Sequence, residues 1–368
     1  MVMSVSGHLK WLDYNFERSK RCKDIVERLG VLSPSRVYIE NHPADHPVVL
    51  FNATGVLIDD IVEIYARMVL GYYLYVSAIM KIEIPLDDIL SRKVSSKSYS
   101  GKIVLYPSTK YDIWGVEDPR ITRIDDFLVI TYSGRTLNYF NSRATYGRVL
   151  PVIALTEIND RENWKKVSTF VLSEELRNKV LADKDAFLIR SSENSLILFH
   201  RPHLMFPPDC TEANKSEYLE SYHLTISKVN DTILSSSDLK ETEVSETVEI
   251  LRPEYFERSL GWGTPPIEVE PNRYVTLVHA VDRSTLVYRV FALAFEIKGG
   301  LPEVIAVTPE YIFEPKETYE VYGDRPMVVF PCGLISVDDS LIVIYGAGDC
   351  VVGFGLIDPS DLLSLLNL

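Results

Sequence analysis

The sequence has four cysteines, and no two of them are close together. Cys22, Cys210, Cys332 and Cys350 lie far apart, and no C-x-x-C spacing occurs. Zinc sites and redox-active disulfides usually need closely spaced cysteines or a cysteine–histidine cluster. We therefore expect reduced, buried thiols and no metal site.

A long apolar segment and a surplus of positive charge are also missing. No uninterrupted run of about 18 apolar residues occurs, and the first 22 residues contain no apolar stretch of signal-peptide length. The formal net charge of −14 disfavours a nucleic-acid backbone as partner. These absences predict a soluble cytoplasmic protein that binds neither a membrane nor nucleic acid.

Glutamine is absent altogether. Proteins of hyperthermophiles are depleted in thermolabile amides, so this absence indicates a hot habitat. The chain is rich in apolar residues, which make up 46% of its 368 positions and can build a large core. Composition alone names no function.

Short apolar strands broken by Gly, Pro, Asn or Asp dominate the sequence, and one strand pattern recurs five times. The copies are DDIVEIYAR from Asp59, DDFLVITYSG from Asp125, NSLILFHRP from Asn194, NRYVTLVHAV from Asn272 and DDSLIVIYGAG from Asp338. Their reference positions Tyr65, Tyr132, Phe199, Val278 and Tyr345 are 67, 67, 79 and 67 residues apart. This interval suits four strands with generous loops, so it predicts an all-β, five-bladed β-propeller that spans residues 1–368 as a single domain. Chance alternation in a β-sandwich is the alternative.

Helical patterns are confined to short segments near the ends. NFERSKRCKDIVERLG predicts a helix over Asn15 to Gly30, within an N-terminal extension of about residues 8–30. DPSDLLSLLNL predicts a C-terminal helix over about residues 358–368, with Asp358 as its N-cap. A third, shorter helix is expected from Ser173. The N-terminal helix would offer a contact surface for a homo-oligomer.

The repeated strands end in polar or small residues. In a propeller, equivalent strands of all blades line the central channel, and we assign that place to the repeated strands, whose ends then converge on the axis. The strands end at Arg67, at Ser133 and Gly134, at His200 and Arg201, at His279, and at Gly346 to Asp349. A single polar end is as easily a solvated loop entry, but recurrence at one phase favours a site at this end of the channel.

The segment WGVEDPRI, Trp114 to Ile121, places two carboxylates side by side before a proline. Pro119 stiffens the backbone directly after Asp118. Because adjacent side chains of an extended strand point to opposite faces, we expect Asp118 to face the channel. Glu117 should instead pair with an arginine such as Arg120.

Several segments, taken in order, resemble the motifs of one known family. They are GVEDPRI, DDFLVITYSG, KDAFLIR, LILFHRP, GWGTPPIE, YVTLVHAVD, VVFPCGLI and LIVIYGAGDCVVGFGL. Together they resemble glycoside hydrolase family 130, which comprises the β-mannoside phosphorylases and related β-mannosidases, from about Asn52 to about Leu356. This resemblance implies a five-bladed β-propeller, in agreement with the repeat.

The resemblance also implies roles for individual residues. Asp118 matches the catalytic acid in the family's E-D-P-R motif. The positions that match sugar-binding residues are Asn52, Arg67 and Asp349. Those that match the cationic cradle for inorganic phosphate are Arg67, Lys184, Arg201 and His279.

This set of residues suits phosphorolysis with inversion. Cleavage of a glycosidic bond requires a proton for the leaving oxygen and a nucleophile at the anomeric carbon. Water would need a second carboxylate as base, whereas phosphate is already anionic and needs cations to hold it. The resemblance implies that the proton passes from Asp118 through a hydroxyl of the mannose, and burial should keep this acid protonated near neutral pH. The predicted reaction cleaves a small β-mannoside with inorganic phosphate as co-substrate, gives α-mannose 1-phosphate, and uses no cofactor.

The chain departs from the family pattern beside GWGTPPIE. A lysine is expected just before this motif, but Ser259 and Leu260 occupy that place, with Arg258 close by. Loss of a phosphate cation is expected on the way to a hydrolase, so an inverting β-mannosidase is the alternative, with Glu268 as a candidate base by its position. A third hypothesis is a sugar-binding propeller without turnover, since a fold alone does not determine function.

Overall fold

The computed structural model describes residues 2–5, 9–12, 14, 16–144, 146–192, 195–206 and 219–368. Within these ranges the chain forms 26 β-strands, four short α-helices and three 3₁₀-helices. The strands assemble into five antiparallel units of four main strands each, arranged as blades around an axis. The fold is an all-β, five-bladed propeller, as the repeat predicted.

The strands are numbered in chain order. Four precede the first blade: β1 (Val2–Val5), β2 (Leu9–Leu12), β3 (Glu27–Leu32) and β4 (Val37–Ile39). Blade one contains β5 (Val49–Ile58), β6 (Ile61–Val69), β7 (Ser77–Pro85) and β8 (Tyr99–Leu105). Blade two contains β9 (Val116–Ile124), β10 (Phe127–Arg135), β11 (Val149–Glu157) and β12 (Lys165–Val171).

Blade three contains β13 (Val180–Ser192), β14 (Ser195–Phe206), β16 (Leu224–Asn230) and β18 (Ser245–Leu251). Two accessory strands lie in the same part of the chain: β15 (Leu219–Tyr222), which pairs with β14, and β17 (Lys240–Glu243), which pairs with β12 of blade two. Blade four contains β19 (Glu257–Trp262), β20 (Ile267–Glu270), β21 (Arg273–Asp282), β22 (Tyr288–Lys298) and β23 (Leu301–Val307). Blade five contains β24 (Val329–Val337), β25 (Ser340–Ala347) and β26 (Val351–Ile357). The helices are α1 (Leu86–Leu90), α2 (Glu174–Arg177), α3 (Thr318–Val321) and α4 (Pro359–Leu366), and the 3₁₀-helices are Pro34–Arg36, Lys93–Ser95 and Asp231–Ser235.

The ring is closed by a strand from the N-terminal part of the chain. Strand β3 pairs antiparallel with β26 and becomes the fourth strand of blade five. Closure of this kind covers the hydrogen-bonding edge of β26, which would otherwise be free to pair with another chain. Accessory strands cover other edges: β4 lies on β8, β17 on β12 and β2 on β18, each in parallel orientation.

Tight turns explain why each repeated segment begins with polar residues. Asp59, Asp125 and Asp338 follow the first strands of blades one, two and five, and each has a left-handed backbone with φ between 46° and 53°. Aspartate tolerates this conformation because its short side chain can bond to nearby backbone. The corresponding residue of the third copy, Asn194, lies outside the described residues. These two-residue turns fix the register of the hairpins.

The five repeated segments are confirmed as equivalent strands, but they occupy the second position of each blade. The strands are β6, β10, β14, β21 and β25. The innermost strands are the first ones, so that β9 contacts β5 and β13, and β24 contacts β5. The prediction that the repeated strands line the channel was therefore wrong by one strand. Because neighbouring strands are antiparallel, the end of each second strand still lies beside the start of the first, as in the pairs Val69 with Val49 and Gly134 with Val116.

The predicted N-terminal helix does not form in the described residues. Residues 16–26 form no helix or strand apart from a bridge between Cys22 and Tyr311, and β3 follows them. Backbone amides in this segment donate to carbonyls of the chain that follows blade four, for example Lys23 to Tyr311 at 2.8 Å and Ile25 to Ile312 at 3.0 Å. These long-range hydrogen bonds replace the local ones of a helix, and local periodicity gives no sign of them.

The C-terminal helix is confirmed as α4. Asp358 is its N-cap, because the carboxylate accepts a hydrogen bond from the amide of Ser360 at 2.8 Å. Leu362 and Leu366 of α4 are buried against blades four and five. The short helix expected from Ser173 is α2. No helix among the described residues is long and apolar enough to cross a membrane.

The core lies between neighbouring blades. One cluster joins Leu50 and Ile64 of blade one to Ile344 and Phe354 of blade five. Another joins Phe199 of blade three to Trp262 and Phe291 of blade four. Because each blade buries its faces against both neighbours, the blades hold one another at fixed positions around the axis.

Candidate active site

Three innermost strands carry the same backbone irregularity at the same height. Asn52 in β5, Asp118 in β9 and Asp185 in β13 have left-handed backbones with φ of 46°, 52° and 54°. At each of these positions two residues oppose a single residue of the second strand, which is a β-bulge. Bulges re-aim side chains, and these three put polar groups at one end of the axis.

Asp118 is held by two donors from blade one. Its Oδ1 accepts hydrogen bonds from Asn52 Nδ2 at 2.8 Å and from Arg67 Nη1 at 2.9 Å. Burial by itself would raise the pKa of Asp118, but the charge of Arg67, the Asn52 amide and the charge of Lys184 outweigh burial and lower the pKa below its ordinary value. The expectation of a protonated acid is therefore wrong for the ligand-free protein, in which Asp118 is a carboxylate ion.

Glu117 points into the same cavity as Asp118, contrary to the prediction. The bulge at Asp118 removes the regular alternation of the strand, so both carboxylates contact Arg67. Glu117 also forms ion pairs with Arg135, whose Nε lies 2.6 Å from Oε1, and with Lys184, whose Nζ lies 3.8 Å from Oε2. Its partners are therefore three basic residues other than the predicted Arg120.

Arg120 is a fully buried link between blades. Its Nε donates to the carbonyl of Gly263 at 2.7 Å, and its Nη2 donates to that of Trp262 at 2.7 Å. The same guanidinium lies 3.4 Å from Asp185 Oδ1. The arginine of the E-D-P-R segment thus ties blade two to blades three and four and keeps Asp118 in place.

Asp185 is a site residue that the sequence reasoning missed. Its Oδ2 accepts from Arg201 Nε at 2.6 Å and lies 3.6 Å from His279 Nε2. Burial opposes its charge, but Arg201 and then His279 and Arg120 lower the pKa of Asp185 well below its usual range. A spacing could have identified it, because Asp185 precedes the reference position Phe199 by 14 residues, as Asp118 precedes Tyr132.

His279 is neutral in the ligand-free protein. Burial lowers its pKa to about 3, and although Asp185 opposes this change, Arg201 and Arg120 add to it. The prediction had placed His279 in a cationic cradle. A neutral imidazole can bind a phosphate oxygen only as a hydrogen-bond donor, because it contributes no charge.

All seven residues singled out by the sequence line one cavity of about 370 Å³ at the end of the axis. They are Asn52, Arg67, Asp118, Lys184, Arg201, His279 and Asp349. Each of the five blades contributes at least one of them. We call this space the axial cavity.

Asp349 lies in the turn after β25, with a left-handed φ of 53°. Burial raises its pKa to about 6; Arg67 opposes this rise, whereas Asp118 adds to it. Asp349 is therefore partly protonated in weakly acidic solution, while Asp118 beside it remains ionised. Two carboxyl groups of one cavity thus differ in their protonation state.

A second cavity of about 400 Å³, which we call the annex, adjoins the axial cavity above blades three and four. Five residues line both cavities: Lys184, Arg201, His279, Tyr288 and Arg325. The annex adds Arg148, His203, Tyr222 and Arg258. The His203 ring stacks on Tyr222, with a centroid distance of 4.2 Å.

Two other candidates from the sequence lie outside both cavities. Glu268, the candidate base of a hydrolase, is exposed on β20, and its Oε1 accepts from the amide of Asn272 at 2.8 Å. His200 is fully buried and bonds to Asp183 at 2.7 Å and to Ser227 at 2.8 Å. Among the described residues, no group of three or more His, Cys, Asp or Glu side chains could hold a metal ion. Cys210 lies outside the described residues.

The fold and the axial cavity together define a class of protein: a β-propeller with a polar, charged cavity at the end of its axis. The family model for glycoside hydrolase family 130, described as beta-1,4-mannooligosaccharide phosphorylase, matches residues 16–368. The chain belongs to glycoside hydrolase family 130, and it is an enzyme.

Individual relatives agree with this assignment. The chain is 31% identical over 262 residues to a beta-1,2-mannobiose phosphorylase from Thermoanaerobacter sp. (strain X514), covering 71% of this chain and 72% of that protein. It is 27% identical over 263 residues to a 1,2-beta-oligomannan phosphorylase from the same organism, covering 71% and 74%. The structure of a beta-1,2-mannobiose phosphorylase from Listeria innocua superposes with a TM-score of 0.68 at 19% identity, covering 93% of this chain and 99% of that one, and supports the fold.

Proposed function

We propose that this protein is an inverting glycoside phosphorylase that cleaves β-mannosides with inorganic phosphate and releases α-mannose 1-phosphate. The observation that carries the proposal is the axial cavity, which brings the carboxyl group of Asp118 together with the cations of Lys184 and Arg201. A leaving group and an attacking phosphate need such an arrangement, with an acid for one and cations for the other.

The sugar-binding role falls to the blade-one and blade-five side of the cavity. Asn52 and Arg67 offer amide and guanidinium donors, and Asp349 offers a carboxyl group that can bond to sugar hydroxyls. The phosphate role falls to the blade-three and blade-four side. Lys184 and Arg201 supply positive charge there, and neutral His279 supplies a hydrogen bond.

Arg67 is shared between the two roles. It is already paired with Glu117 and Asp118, so its charge is largely compensated before phosphate arrives. A phosphate anion that draws on Arg67 and Lys184 weakens their hold on Asp118, which raises the pKa of this carboxyl. Phosphate binding therefore favours the protonated acid that bond cleavage needs.

The protons balance in this scheme. Hydrogen phosphate carries one proton, and the phosphate ester product carries none at the same charge. The proton of hydrogen phosphate passes to Asp118, an oxygen of phosphate bonds to the anomeric carbon as the glycosidic bond breaks, and Asp118 gives the proton to the leaving oxygen and returns to its resting carboxylate form. No other proton donor is required.

The linkage to be tested first is β-1,2, because both Thermoanaerobacter relatives are named as phosphorylases of β-1,2-linked mannosides. The family description names β-1,4-linked mannooligosaccharides, so this linkage belongs in the same test. Hydrolysis is not proposed, since Glu268, the predicted base, does not line the axial cavity.

The purified protein should be incubated with β-1,2- and β-1,4-mannobiose, each with and without inorganic phosphate, and assayed for α-mannose 1-phosphate and free mannose. We expect α-mannose 1-phosphate from at least one disaccharide, and only when phosphate is present. Equal release of mannose with and without phosphate would contradict the proposal. So would β-mannose 1-phosphate as the product, because it would mean retention.

A further inference from the structure

An inverting reaction places the acceptor half of the substrate across the cleaved sugar from phosphate, because the attacking and leaving groups lie on opposite faces of the anomeric carbon. The phosphate cations Lys184 and Arg201 belong to blade three and also line the annex. Blade one contacts blades two and five, so it lies across the axis from blade three. The acceptor is therefore expected on the blade-one side of the axial cavity, where Asn52 and Arg67 hold Asp118.

The loop between β6 and β7 of blade one, residues 70–76, is both aromatic and exposed. Its sequence, LGYYLYV, contains three tyrosines and no charged residue. Tyr72 is 61% exposed and Tyr73 is 85% exposed. Surface loops often carry binding residues, and exposed apolar surface beside a cavity is typical of a ligand-binding groove. This loop is therefore a candidate wall of the acceptor site.

The same loop places Tyr75 in the axial cavity. The amide of Tyr75 donates to the carbonyl of Tyr72 at 3.2 Å, and Leu74 and Tyr75 both have left-handed backbones, with φ of 56° and 51°. This conformation is costly for residues other than glycine, and such strain is concentrated at ligand-binding sites. The Arg67 guanidinium lies 5.8 Å from the centroid of the Tyr75 ring, and Tyr75 Oη donates to Asp324 Oδ2 at 3.3 Å. The strained turn thus holds an aromatic ring beside the arginine that binds Asp118.

Tyr72 extends this aromatic surface from the cavity to its rim. The ring centroids of Tyr72 and Tyr75 are 6.2 Å apart, with 32° between the ring planes. Slight burial raises the pKa of Tyr72, and the charge of Asp324 adds to this rise, so the Tyr72 hydroxyl and this carboxylate are neighbours. Tyrosine offers a flat apolar face together with a polar hydroxyl, which suits the face and the hydroxyls of a sugar. Two rings in succession, one lining the cavity and one exposed beside it, can therefore contact two successive sugars.

We propose that the acceptor half of the substrate runs from Asp118 along Tyr75 to Tyr72, and that the preferred acceptor is an uncharged mannooligosaccharide of two or more sugars. The first acceptor sugar contacts Tyr75 and the second contacts Tyr72. The carboxylate of Asp324 and the lack of charged residues in the loop disfavour an anionic acceptor. The inference rests on the proposed phosphorolysis at the axial cavity and assigns the length of the acceptor to this loop.

The experiment uses the synthetic direction, with saturating α-mannose 1-phosphate as donor. Initial rates are measured with mannose, with mannobiose of the linkage that the enzyme cleaves, and with mannose 6-phosphate as acceptor. We expect kcat/KM to be about fivefold higher for mannobiose than for mannose, because the second sugar gains one aromatic contact. Tyr72→Ala should bring this ratio close to one. Tyr72→Phe, which keeps the ring, should retain most of it.

Tyr106→Ala is the matched control. Tyr106 follows β8, the fourth strand of blade one, and is 60% exposed, almost the same fraction as Tyr72. It is not among the described residues that line the axial cavity. Loss of the same side chain at this place should leave the ratio of the two kcat/KM values as it is in the wild type. Both tyrosines are exposed, so neither substitution is expected to affect folding.

The outcomes separate this inference from the proposed function. Mannose used as well as mannobiose by the wild type, or a wild-type ratio in Tyr72→Ala, would overturn the inference and leave phosphorolysis intact. So would mannose 6-phosphate as a better acceptor than mannobiose. A Tyr72→Ala variant whose KM for inorganic phosphate rises while the acceptor ratio is unchanged would place the loop on the phosphate side and also overturn it. No transfer from α-mannose 1-phosphate to any acceptor, with no phosphorolysis of mannobiose, would overturn both.

Discussion

At the scale of single residues, Asp118 depends on its neighbours for its protonation state. The hydrogen bonds from Asn52 and Arg67 stabilise the ionised form, and an anion bound to Arg67 would counteract them. In the proposed reaction, the E-D-P-R segment thus provides a carboxylate at rest and an acid once phosphate and mannoside are bound. Such coupling makes the variants of this residue informative.

Replacement of Asp118 by Asn should remove the acid and keep the hydrogen-bond geometry. We expect phosphorolysis of mannobiose to fall by about 10²- to 10⁴-fold, the usual contribution of general acid catalysis. With an activated aryl β-mannoside, whose leaving group needs no proton, the loss should be much smaller. Steady-state kinetics with both substrates measure this difference. An equal loss on both would show that Asp118 binds substrate without donating a proton.

Because the pKa of Asp349 is raised, we expect the free energy of unfolding to depend on pH. Its pKa is about 6 in the folded protein and 3.8 in the absence of the fold, so the folded state binds this proton more tightly. The resulting stabilisation is complete below the unfolded pKa and is lost as pH rises through about 6. A pKa shift of this size changes the free energy of unfolding by on the order of 3 kcal/mol between low and high pH.

Asp349→Asn tests this prediction, because an amide does not titrate. Denaturant unfolding at pH 4, 6 and 8 should show the wild type losing stability relative to Asp349→Asn as the pH rises. The comparison between the two proteins cancels the general effect of the net charge. Parallel pH dependence of the two proteins would contradict the assignment of this shift to Asp349.

At the scale of elements, β3 decides whether the ring closes. Leu32 of β3 is fully buried between blades one and five, and Leu29 is 4% exposed. The backbone of β3 satisfies the edge of β26. A strand from the beginning of the described chain thus completes the last blade.

Leu32→Ala should destabilise the protein by about 2–5 kcal/mol, the usual range for a buried leucine truncation. Val31→Ala in the same strand is the control, because Val31 is partly exposed, and it should cost less. Denaturant unfolding measures both. If the two variants were equally stable, β3 would not be packed as described.

At the scale of the whole molecule, ligand binding should stabilise all five blades together. Every blade supplies a side chain to the axial cavity, from Asn52 in blade one to Asp349 in blade five. A ligand at 100 times its Kd raises the free energy of unfolding by about 2.7 kcal/mol. α-Mannose 1-phosphate should therefore raise the melting temperature and slow amide exchange in every blade.

Arg201→Gln should show a smaller increase in melting temperature at the same ligand concentration, because one phosphate cation is lost. Amide hydrogen exchange, measured with and without α-mannose 1-phosphate, then shows which blades the ligand stabilises. Protection confined to a single blade would mean that the ligand is not shared by the ring around the axis.

The sequence by itself determined the features that depend on neighbouring residues. Polar pairs such as Asp59 and Asp60 form the tight turns, alternating apolar residues form the second strand of each blade, and Asp358 caps α4. The seven candidate site residues were implied by the resemblance of short motifs to those of glycoside hydrolase family 130, and all of them line one cavity. Local chemistry is enough for such features, because turn geometry, strand periodicity and motif spacing involve residues that are close in the chain.

Only the tertiary structure decided the features that depend on distant partners. The segment after Asn15 has helical periodicity, yet its backbone bonds to the chain that follows blade four, and its last part pairs with blade five as β3. Glu117 faces the axial cavity because of the bulge beside it, and His279 is neutral because of burial beside Arg201 and Arg120. Burial and long-range pairing set side-chain direction and charge, and both exist only once the five blades have closed around the axis.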